Sequence, residues 1–386
     1  MNMVKKIVFI QPTLAPYAKT RFEELAKDKQ LDIYLLFEHK TLPHRKGWEV
    51  TPVKGCKTIV IGGHNLKSKV YKPELNAYIE GVRGIPYTIP KYLMNIKPDI
   101  VIVCNASQLL FVNSVKKILN FKTGIIVEDT IHATKGRSNL SKRLKKIALN
   151  LVDFYLPFSN DAIEYLHVNG INNSIYKTSW SMKTDLFYND NEVSEIRRKI
   201  RSRHKLDNKV VFITLTQLIP RKGLKNLIES WNDSDNRLKS DAELLILGDG
   251  PEKEDLIELL VRRQIYNVQL LGNKSYTEVA EYLQASDIFI LPTLEDLFSL
   301  SVMEAMASKL PVMTSIYNGA RELIIESKNG YVFDSKSKED TIKALNNMYS
   351  DKGRLNEMGN LSYEIISNYT DELVMRKLGN TLKGIK

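Results

Sequence analysis

Cysteine is scarce in this sequence, and long hydrophobic runs are absent. The 386 residues include two cysteines, Cys56 and Cys104, which allow one disulfide bond at most, so we expect a reducing compartment. No apolar run approaches the roughly 20 residues of a membrane-spanning helix. Residues 1–12 form one apolar run of strand length, which is too short for the apolar core of a signal peptide and its cleavage site. These absences predict a cytoplasmic protein.

Motifs for metals and dinucleotides are missing as well. No Cys/His spacing is typical of a zinc site. No Gly-x-Gly-x-x-Gly follows a predicted strand, which argues against a nicotinamide-dependent dehydrogenase. Asp233-Ser234-Asp235 has the spacing of a metal-binding Asp-x-Asp, but it lies in a polar stretch after a predicted helix, so we interpret it as a solvated loop. The sequence predicts neither a bound metal nor an organic cofactor.

Positive charge is in excess. Lys and Arg number 56 and Asp and Glu 45, so the net charge is +11, and nucleic acid, anionic lipid and phosphorylated substrates are the candidate partners. Nucleic acid is the weakest of these, because the basic residues are not interleaved with aromatic residues in the way that binding surfaces for nucleic acids require. We therefore expect no nucleic-acid partner.

One basic segment, residues 134–151, contains a predicted amphipathic helix. Its apolar residues fall on one helical face and its basic residues crowd around them; the two sets are Leu140, Leu144, Ile147 and Leu151, and Lys142, Arg143, Lys145 and Lys146. Such a helix can lie on the surface of an anionic membrane. The alternative is an ordinary helix that packs its apolar face in the core and turns its cations to solvent.

Apolar runs of strand length alternate with helical patterns along the chain, which predicts parallel sheets with helices on both faces. The predicted strands are 6–11, 31–37, 58–61, 100–104, 124–127 and 154–158 in the first half and 210–215, 243–247, 268–271, 288–291 and 311–314 in the second. The composition turns polar near residues 189–192, so we predict two doubly wound, Rossmann-like α/β domains, residues 1–188 and 189–370. A last helix, about residues 371–386, could pack back on the first domain. Because such sheets bind ligands at the carboxyl ends of their strands, we expect the domains to face across a ligand cleft.

Residues 291–308 contain the strongest candidate for a functional site. A predicted buried strand ends at Leu291, and a polar loop carrying Asp296 leads into a helix whose first turn is predicted to carry Glu304. A strand–loop–helix junction directs free N–H groups and the positive end of a helix dipole at an anion, and carboxylates accept hydrogen bonds from hydroxyl groups. The structural alternative is that Ser301 and Glu304 form a capping box and Asp296 is a solvated loop residue.

This pattern resembles the signature of glycosyltransferase family 4, where an acidic residue and a later Glu flank a Phe-Gly-Leu-like loop. The loop here is Phe298-Ser299-Leu300, in which Ser299 replaces the usual Gly, and Asp296 takes an acidic position at which Glu is more common. The segment with Lys222 is similar to the family's phosphate-binding segment, although Gln217 stands where Arg is common, so one cationic contact is missing or comes from Arg221. The turn Gly248-Asp249-Gly250-Pro251 and the strand end Leu271-Gly272-Asn273 also match family motifs, within a run of matches from residue 210 to 333.

The resemblance implies a GT-B fold, with the acceptor bound by the first domain and a nucleotide-diphosphate sugar, most commonly a UDP-sugar, bound by the second. It also implies transfer with retention of configuration and without a bound metal. Lys222, Arg221 and the helix N-terminus before Glu304 would stabilise the departing diphosphate. Asp296 would contact hydroxyl groups of the donor sugar, and Glu304 the ribose. The remaining residues that the resemblance implies for donor binding are Gln217, Gly248, Gly250, Asn273, Phe298, Ser299 and Leu300.

The first half resembles the family less. Its opening loop, residues 12–17, lacks the Gly pair that many members place beside the diphosphate, and Lys183 stands where Asp is usual. His132 follows a predicted buried strand, after Glu128, and is the candidate for a catalytic residue that orients the acceptor or the donor sugar, as a His near this point does in relatives. A purely structural histidine is the alternative.

These features predict a glycosyltransferase that acts on a glycan or a lipid-linked acceptor, in cell-surface polysaccharide or glycoconjugate synthesis, at the inner face of the membrane. Two other functions stay open. A sugar-nucleotide epimerase on the same scaffold would consume its donor without an acceptor. A non-catalytic nucleotide-sugar-binding protein would bind its ligand without turnover. The one feature that favours this function is Gln217, which stands where Arg is common in the family.

Overall fold

The protein divides into two compact units. The computed structural model describes residues 4–42, 48–72, 77–134, 138–188 and 192–386. Unit 1 contains the described residues up to Met182 together with Tyr369–Lys386, and unit 2 contains the described residues of Lys183–Asn368. The predicted boundary between residues 188 and 189 borders residues 189–191, which lie outside the described part of the chain.

Strands and helices alternate through both units. The strands are β1 (Lys5–Gln11), β2 (Leu31–Phe37), β3 (Lys57–Val60), β4 (His64–Lys72), β5 (Ala77–Ile85), β6 (Ile100–Val103), β7 (Lys122–Val127), β8 (Phe154–Pro157), β9 (Val210–Leu215), β10 (Ala242–Leu247), β11 (Val268–Gly272), β12 (Ile288–Leu291), β13 (Val312–Ser315) and β14 (Gly330–Phe333). The α-helices are α1 (Pro16–Leu25), α2 (Ile89–Ile96), α3 (Ala106–Leu119), α4 (Ile131–Thr134), α5 (Asn139–Leu149), α6 (Asn160–Val168), α7 (Val193–Arg203), α8 (Leu224–Asn232), α9 (Asn236–Asp241), α10 (Lys253–Arg263), α11 (Tyr276–Ala285), α12 (Leu300–Ala307), α13 (Lys338–Ser350), α14 (Leu355–Ile366) and α15 (Asp371–Gly384).

Unit 1 is built on a six-stranded parallel sheet in the order β3-β2-β1-β6-β7-β8. Alternate residues of β1 serve opposite faces: Ile7 and Phe9 lie in one hydrophobic cluster, Val8 and Ile10 in the other. The two-residue period of a strand produces this division. Helices α1 and α15 pack on the first face, and α2, α3, α5 and α6 contribute to the second. A core therefore covers each side of the sheet.

Unit 2 repeats this topology with a parallel sheet in the order β11-β10-β9-β12-β13-β14. If the antiparallel pair β4–β5 is set aside, both sheets have the strand order 3-2-1-4-5-6 of nucleotide-binding α/β folds. In such sheets the order reverses beside the first strand, and that is where ligands bind. In unit 2 this point lies between β9 and β12.

The predicted fold class is confirmed, and every predicted strand is present to within two residues at each end. The sequence analysis missed β14, the pair β4–β5 and several helices. The sequence pattern of residues 320–326 predicts a helix, but the structure has a 3-10 turn, Gly319–Leu323. The pattern of residues 20–29 predicts the first helix, which begins earlier, at Pro16, because proline is favoured at the first position of a helix.

The chain returns to unit 1 in α15. The Asp371 carboxylate at its first position accepts hydrogen bonds from Thr20 Oγ1 at 2.7 Å and Ser181 Oγ at 2.8 Å. At the other end, Lys5 Nζ donates to the carbonyl oxygens of Lys383 and Ile385 at 2.7 and 2.6 Å. Both ends of this helix are therefore tied to unit 1.

Helix α5 turns the apolar residues of the basic segment outward. The exposed fractions are 68% for Leu140, 58% for Leu144, 52% for Ile147 and 48% for Leu151. Lys145 faces inward, where Nζ pairs with the Asp129 carboxylate, and Leu149 is fully buried. The alternative of a core-packed apolar face is therefore wrong for this helix. Among the described helices, none has both the length and the apolar character needed to cross a membrane.

Candidate active site

The loop between β12 and α12 is held by a residue that the sequence analysis missed, Asn318. Its side chain is fully buried, its Oδ1 accepts from the N–H groups of Ser299 (3.2 Å) and Ala320 (3.1 Å), and its Nδ2 donates to Thr314 Oγ1 (2.9 Å). The backbone of Asp296 pairs with the same segment, through Asp296 N to Tyr317 O at 3.0 Å. A buried side chain from the following loop thus fixes the position of the acidic motif.

Lys222 lies beside this loop. It ends a 3-10 turn, Pro220–Lys222, and Gly223 follows with φ 69°. A Cβ atom on Gly223 would lie 2.2 Å from the carbonyl oxygen of Pro292, so only glycine allows the two segments to approach this closely. The carbonyl oxygen of Arg221 accepts from Leu294 N at 2.8 Å, which joins the segments from the other side.

The structure brings two predicted catalytic residues into contact. Lys222 Nζ forms an ion pair with the Asp296 carboxylate, and the two side chains are 10% and 14% exposed. Burial lowers the pKa of Lys222, the negative charge of Asp296 raises it, and the positive charge of Arg221 lowers it. Arg221 Nη1 donates to the carbonyl oxygen of Glu295 at 3.2 Å. The cation expected to bind the diphosphate is therefore balanced by the carboxylate expected to bind the sugar.

Glu304 lies in the second turn of α12, as its fifth residue, and not in the first turn as predicted. Ser299 is the N-cap residue and makes no capping hydrogen bond through its side chain; its Oγ instead lies 2.9 Å from Ser301 Oγ. The capping box of Ser301 and Glu304 is therefore wrong, because Ser301 lies inside the helix. The first-turn N–H groups of α12 thus have no side-chain cap.

The Glu304 carboxylate is partly exposed and makes no hydrogen bond or ion pair with the described residues. Burial alone raises its pKa to about 7. A group of this kind can lose its desolvation penalty when a ligand supplies hydroxyl donors.

The other predicted donor-binding residues lie on neighbouring strand ends of unit 2. Gln217 and Asn273 are exposed, after β9 and β11. A Cβ atom on Gly248 would lie 1.8 Å from the carbonyl oxygen of Thr216, and one on Gly250 would lie 2.4 Å from that of Leu218. These glycines therefore allow the strand-end loops to pack on one another.

Phe298 and Ser299 are buried and Leu300 is partly exposed, so the Phe298 side chain packs inside the loop. The Asp-x-Asp segment, which the sequence analysis interprets as a solvated loop, makes contacts within unit 2. Asp233 pairs with Lys338, and Asp235 caps α9 by accepting from Arg237 N at 2.8 Å. Within the described ranges, no group of three or more His, Cys, Asp and Glu residues is arranged to hold a metal ion.

His132 lies in unit 1, on the short helix α4, and is partly exposed. Its predicted catalytic role stays a prediction, as do the roles of the donor-site residues. Glu128, which the sequence analysis did not select, directly follows β7, and burial raises the pKa of its carboxyl group.

Known proteins resemble this chain in sequence over part of its length and in structure over nearly all of it. Residues 196–364 match the protein family described as glycosyl transferases group 1. A GDP-mannose-dependent alpha-(1-6)-phosphatidylinositol monomannoside mannosyltransferase of Mycobacterium tuberculosis is 27% identical over 197 residues, 49% of this chain and 51% of the relative. An uncharacterized glycosyltransferase of Methanocaldococcus jannaschii is 27% identical over 133 residues, 33% of this chain and 36% of the relative. The chain thus spans about a third to a half of the length of these curated relatives.

Solved structures resemble nearly the whole chain. Anabaena HepE in complex with UDP covers 98% of this chain and 100% of its own, with a TM-score of 0.75 at 16% identity. Sucrose-phosphate synthase of Thermosynechococcus elongatus covers 98% of each chain, with a TM-score of 0.74 at 15% identity. The predicted glycosyltransferase group is confirmed, and membership of family 4 within it stays a prediction. The segment of residues 196–364 is thus similar to the group 1 glycosyl transferases, in a chain with the two-sheet GT-B fold.

Proposed function

We propose that this protein is a retaining glycosyltransferase that moves a sugar from a UDP-sugar to a glycan or a lipid-linked acceptor, in cell-surface polysaccharide or glycoconjugate synthesis. The observation that carries the proposal is the ion pair of Lys222 and Asp296 after strands β9 and β12 of unit 2, inside the segment that matches the family. UDP is favoured because it is the nucleotide bound to HepE, and GDP is the alternative because the mannosyltransferase depends on GDP-mannose.

Different residues of unit 2 bind the diphosphate, the donor sugar and the ribose. The diphosphate replaces Asp296 as the counter-ion of Lys222, and the uncapped N–H groups of α12 add donors for its oxygens. The released Asp296 carboxylate then accepts hydrogen bonds from hydroxyl groups of the donor sugar, and Glu304 accepts them from the ribose. When the bond from the sugar to the phosphate breaks, negative charge grows on the diphosphate, and Lys222 stabilises it.

The chemical step needs no protein nucleophile in this proposal. The acceptor oxygen bonds to the anomeric carbon on the face that the diphosphate leaves, and a leaving phosphate oxygen takes the acceptor's proton. The charge of the diphosphate is met by Lys222, Arg221 and the end of α12. Activity is therefore expected to survive EDTA; a complete loss that manganese restores would contradict this site.

The first experiment measures binding of UDP, GDP and their sugars by thermal shift and calorimetry. A bound nucleotide at 100 times its dissociation constant stabilises a protein by about 2.7 kcal/mol. Lys222→Ala should abolish the shift, whereas Lys225→Ala, which removes an exposed lysine nearby, should leave it unchanged. If no nucleotide stabilises the unmodified protein, the proposal is wrong.

A second experiment separates transfer from the two other functions. With the nucleotide sugar that binds best, the products are analysed with and without glycan and lipid-linked acceptors. Conversion of the donor sugar to its epimer without an acceptor would indicate an epimerase. Binding without turnover on any acceptor would indicate a non-catalytic binder. Transfer that requires the acceptor supports the proposed function.

We also propose that the protein contacts the anionic inner face of the membrane through α5, where a lipid-linked acceptor would be found. The support is the exposed apolar face of α5 and the three exposed cations on the same helix, Lys142, Arg143 and Lys146. An amphipathic helix of this composition binds an anionic interface by burying its apolar face and pairing its cations with lipid headgroups.

A further inference from the structure

Three buried hydroxyl groups lie at the carboxyl ends of neighbouring strands in unit 2. Thr293 follows β12, Ser315 ends β13 and Ser335 follows β14, and these strands are adjacent in the sheet. The exposed fractions of the three residues are 0%, 0% and 2%. A buried hydroxyl group costs stability unless it finds a partner inside the protein. The hydrogen bonds of these groups therefore show what the three residues do.

The bonds of Ser315 and Ser335 have one possible direction. The N–H group of Tyr317 can only donate, and it donates to Ser315 Oγ at 3.0 Å. The carbonyl oxygen of Thr293 can only accept, and it accepts from Ser335 Oγ at 2.9 Å. The two hydroxyl oxygens lie 3.0 Å apart, so the Ser315 proton has to point to Ser335 Oγ. Each of the two hydroxyl groups thus donates one hydrogen bond and accepts one.

This chain of hydrogen bonds ends at the two backbone segments that carry the ion pair of the candidate active site. At one end, the carbonyl oxygen of Tyr317 accepts from Asp296 N at 3.0 Å. At the other end, Thr293 Oγ1 lies 3.0 Å from the carbonyl oxygen of Arg221 and 3.1 Å from that of Glu295, and its proton serves both. The chain therefore connects the segment around residue 222 with the segment around residue 296.

Ser335 contacts both segments by itself. Its Oγ donates to Thr293, three residues before Asp296, and its carbonyl oxygen accepts from Asn226 Nδ2 at 3.2 Å, four residues after Lys222. These hydrogen bonds involve neither of the two charged side chains. Ser335 therefore holds the two segments together independently of the ion pair.

The ion pair of Lys222 and Asp296 depends on how these segments are placed. Its side chains are only 10% and 14% exposed, so little water is present to replace a lost partner. In such surroundings an interaction between charges is strong when its geometry is good and costly when it is not. Groups that hold the two segments in place therefore decide how well the charges pair.

We propose that Thr293 and Ser335 are positioning residues, whose hydroxyl groups hold Lys222 and Asp296 at the separation that their ion pair requires. Both hydroxyl groups are buried and already bonded within the fold, so they act through these bonds and not by contact with a ligand. That the same separation is needed for sugar transfer rests on the proposed function; the effect on the ion pair does not.

The first test measures the reactivity of the Lys222 amine, by reductive methylation of the full-length protein and mass spectrometry. Ser335→Ala leaves two buried groups without their partner, so the ion pair should open more often and Lys222 should be methylated at least threefold faster. Lys225 is exposed and should react equally in all proteins. The control Ser350→Ala removes an exposed hydroxyl group that bonds within α13, and it should leave the Lys222 rate unchanged. Equal Lys222 rates in Ser335→Ala and the unmodified protein would overturn the proposal.

A pair of variants at Thr293 separates positioning from packing, and it decides the question alone if Ser335→Ala does not fold. Thr293→Val keeps the shape of the side chain and loses the hydroxyl group, whereas Thr293→Ser keeps the hydroxyl group and leaves a cavity the size of a methyl group. Positioning predicts faster methylation of Lys222 in Thr293→Val and a rate within twofold of the unmodified protein in Thr293→Ser. The opposite order, or equal rates in the two variants, would overturn the proposal.

Turnover and nucleotide binding separate this proposal from the proposed function. The stoichiometry of UDP binding by calorimetry gives the fraction of active protein. With this correction, kcat for transfer should fall about tenfold in Ser335→Ala and Thr293→Val, because misplaced groups stabilise a transition state poorly, while KM for the acceptor should change less than twofold. An unchanged kcat beside faster methylation of Lys222 would overturn the role in transfer.

The two proposals fail in different ways. If Lys222 reacts as expected but no nucleotide binds the unmodified protein, the proposed function is wrong and the positioning of the ion pair stands. If UDP binds and the Lys222 rates are equal in all variants, the positioning is wrong and the proposed function stands.

Discussion

Desolvation shifts the pKa of both Lys222, which is buried, and Glu304, which is partly exposed, but only Lys222 has a counter-ion among the described residues. Asp296 offsets part of the cost of burying Lys222, whereas nothing among the described residues does so for Glu304. An unpaired buried charge destabilises a fold, and a paired one resists removal of its partner. The two positions should therefore respond in opposite ways to neutralisation.

Glu304→Gln should stabilise the ligand-free protein at alkaline pH. Burial raises the pKa of Glu304 from its ordinary 4.5 to about 7 in the folded protein, so the folded state holds the extra proton between these pH values. Stability therefore falls as pH rises from 4.5 to 7 and stays low above that range. At about 1.4 kcal/mol per pKa unit, we expect a gain on the order of 2–3 kcal/mol at pH 8 and almost none at pH 4.5. Urea unfolding at both values measures this, and equal gains at both would contradict it.

The same substitution should weaken nucleotide binding, if Glu304 holds the ribose. A hydrogen bond to a charged group is worth roughly 1.5–3 kcal/mol and a neutral one about 1, so the affinity for UDP should fall on the order of tenfold at pH 8. Glu254→Gln, on the exposed face of α10, is the matched control. An unchanged affinity would remove Glu304 from the site.

Asp296→Asn should tighten UDP binding while it lowers sugar transfer. The carboxylate competes with the diphosphate for Lys222, so its neutralisation should raise the affinity for UDP several-fold at pH 7. Turnover should fall, because the carboxylate that accepts hydrogen bonds from the donor sugar is gone. Calorimetry with UDP and a transfer assay measure the two effects, with Asp255→Asn as the control. Weaker UDP binding by Asp296→Asn would show that the ion pair does not compete with the ligand.

At the scale of elements, α5 shows why an amphipathic pattern does not by itself identify the buried face. The helix contacts the rest of unit 1 through Leu149 and through Lys145, whose charge Asp129 balances. Its apolar stripe is left on the surface, beside cations that carry no acidic neighbour on the same helix.

Neutralising α5 should release the protein from anionic membranes. Each basic residue near an anionic leaflet contributes roughly 1 kcal/mol, so changing Lys142, Arg143 and Lys146 to Gln should lower vesicle binding at least tenfold. Lys145 is kept, because its removal would leave Asp129 unpaired. The control changes three exposed cations of unit 2, Arg198, Lys199 and Lys205, to Gln.

Sedimentation with vesicles of phosphatidylcholine and phosphatidylserine at low salt measures this binding. A separate variant, Leu144→Ser with Ile147→Ser, should also weaken it while leaving thermal stability unchanged, because both side chains are exposed. If the unmodified protein does not sediment with such vesicles, the membrane contact is wrong.

At the scale of the whole molecule, the chain leaves unit 1 after Met182 and returns at Tyr369. The stability of unit 1 therefore depends on residues from both ends of the sequence. Asp371 connects the start of α15 to two other segments, because its carboxylate accepts from Thr20 and Ser181 and lies near the buried Arg21.

Asp371→Ala should destabilise unit 1. Two hydrogen bonds to a charged acceptor are lost, and the buried hydroxyl of Ser181 and the partly exposed hydroxyl of Thr20 lose their partner, so the free energy of unfolding should fall by about 3 kcal/mol. Glu372→Ala removes an exposed carboxylate one position later and should have little effect. Urea unfolding followed by tryptophan fluorescence measures the change. Equal stabilities of the two variants would contradict the role of Asp371.

Local patterns in the sequence were sufficient to predict the strands, the two-sheet fold and the position of the acidic motif. Ile7 to Ile10 alternate between two cores because a strand has a two-residue period, and that period can be read from neighbours in the chain. The positive φ of Gly223 and Gly248 is a local turn requirement, whereas the close approach of Pro292 to Gly223 and of Thr216 to Gly248 is a tertiary one. The resemblance of residues 210–333 to a known family added the prediction of which residues bind the donor.

Only the tertiary structure decided which charged groups have partners. Lys222 and Asp296 are 74 residues apart in sequence, and they meet because β9 and β12 are adjacent in the sheet. Asn318 reaches back to Ser299 across 19 residues, and this contact organises a loop that local patterns describe only as polar. Glu38 and Glu128 each follow a strand of the unit 1 sheet. Glu38 accepts a hydrogen bond from Gln108, whereas Glu128 has no such partner among the described residues. Partners of this kind depend on strand order and packing, and a one-dimensional pattern contains neither.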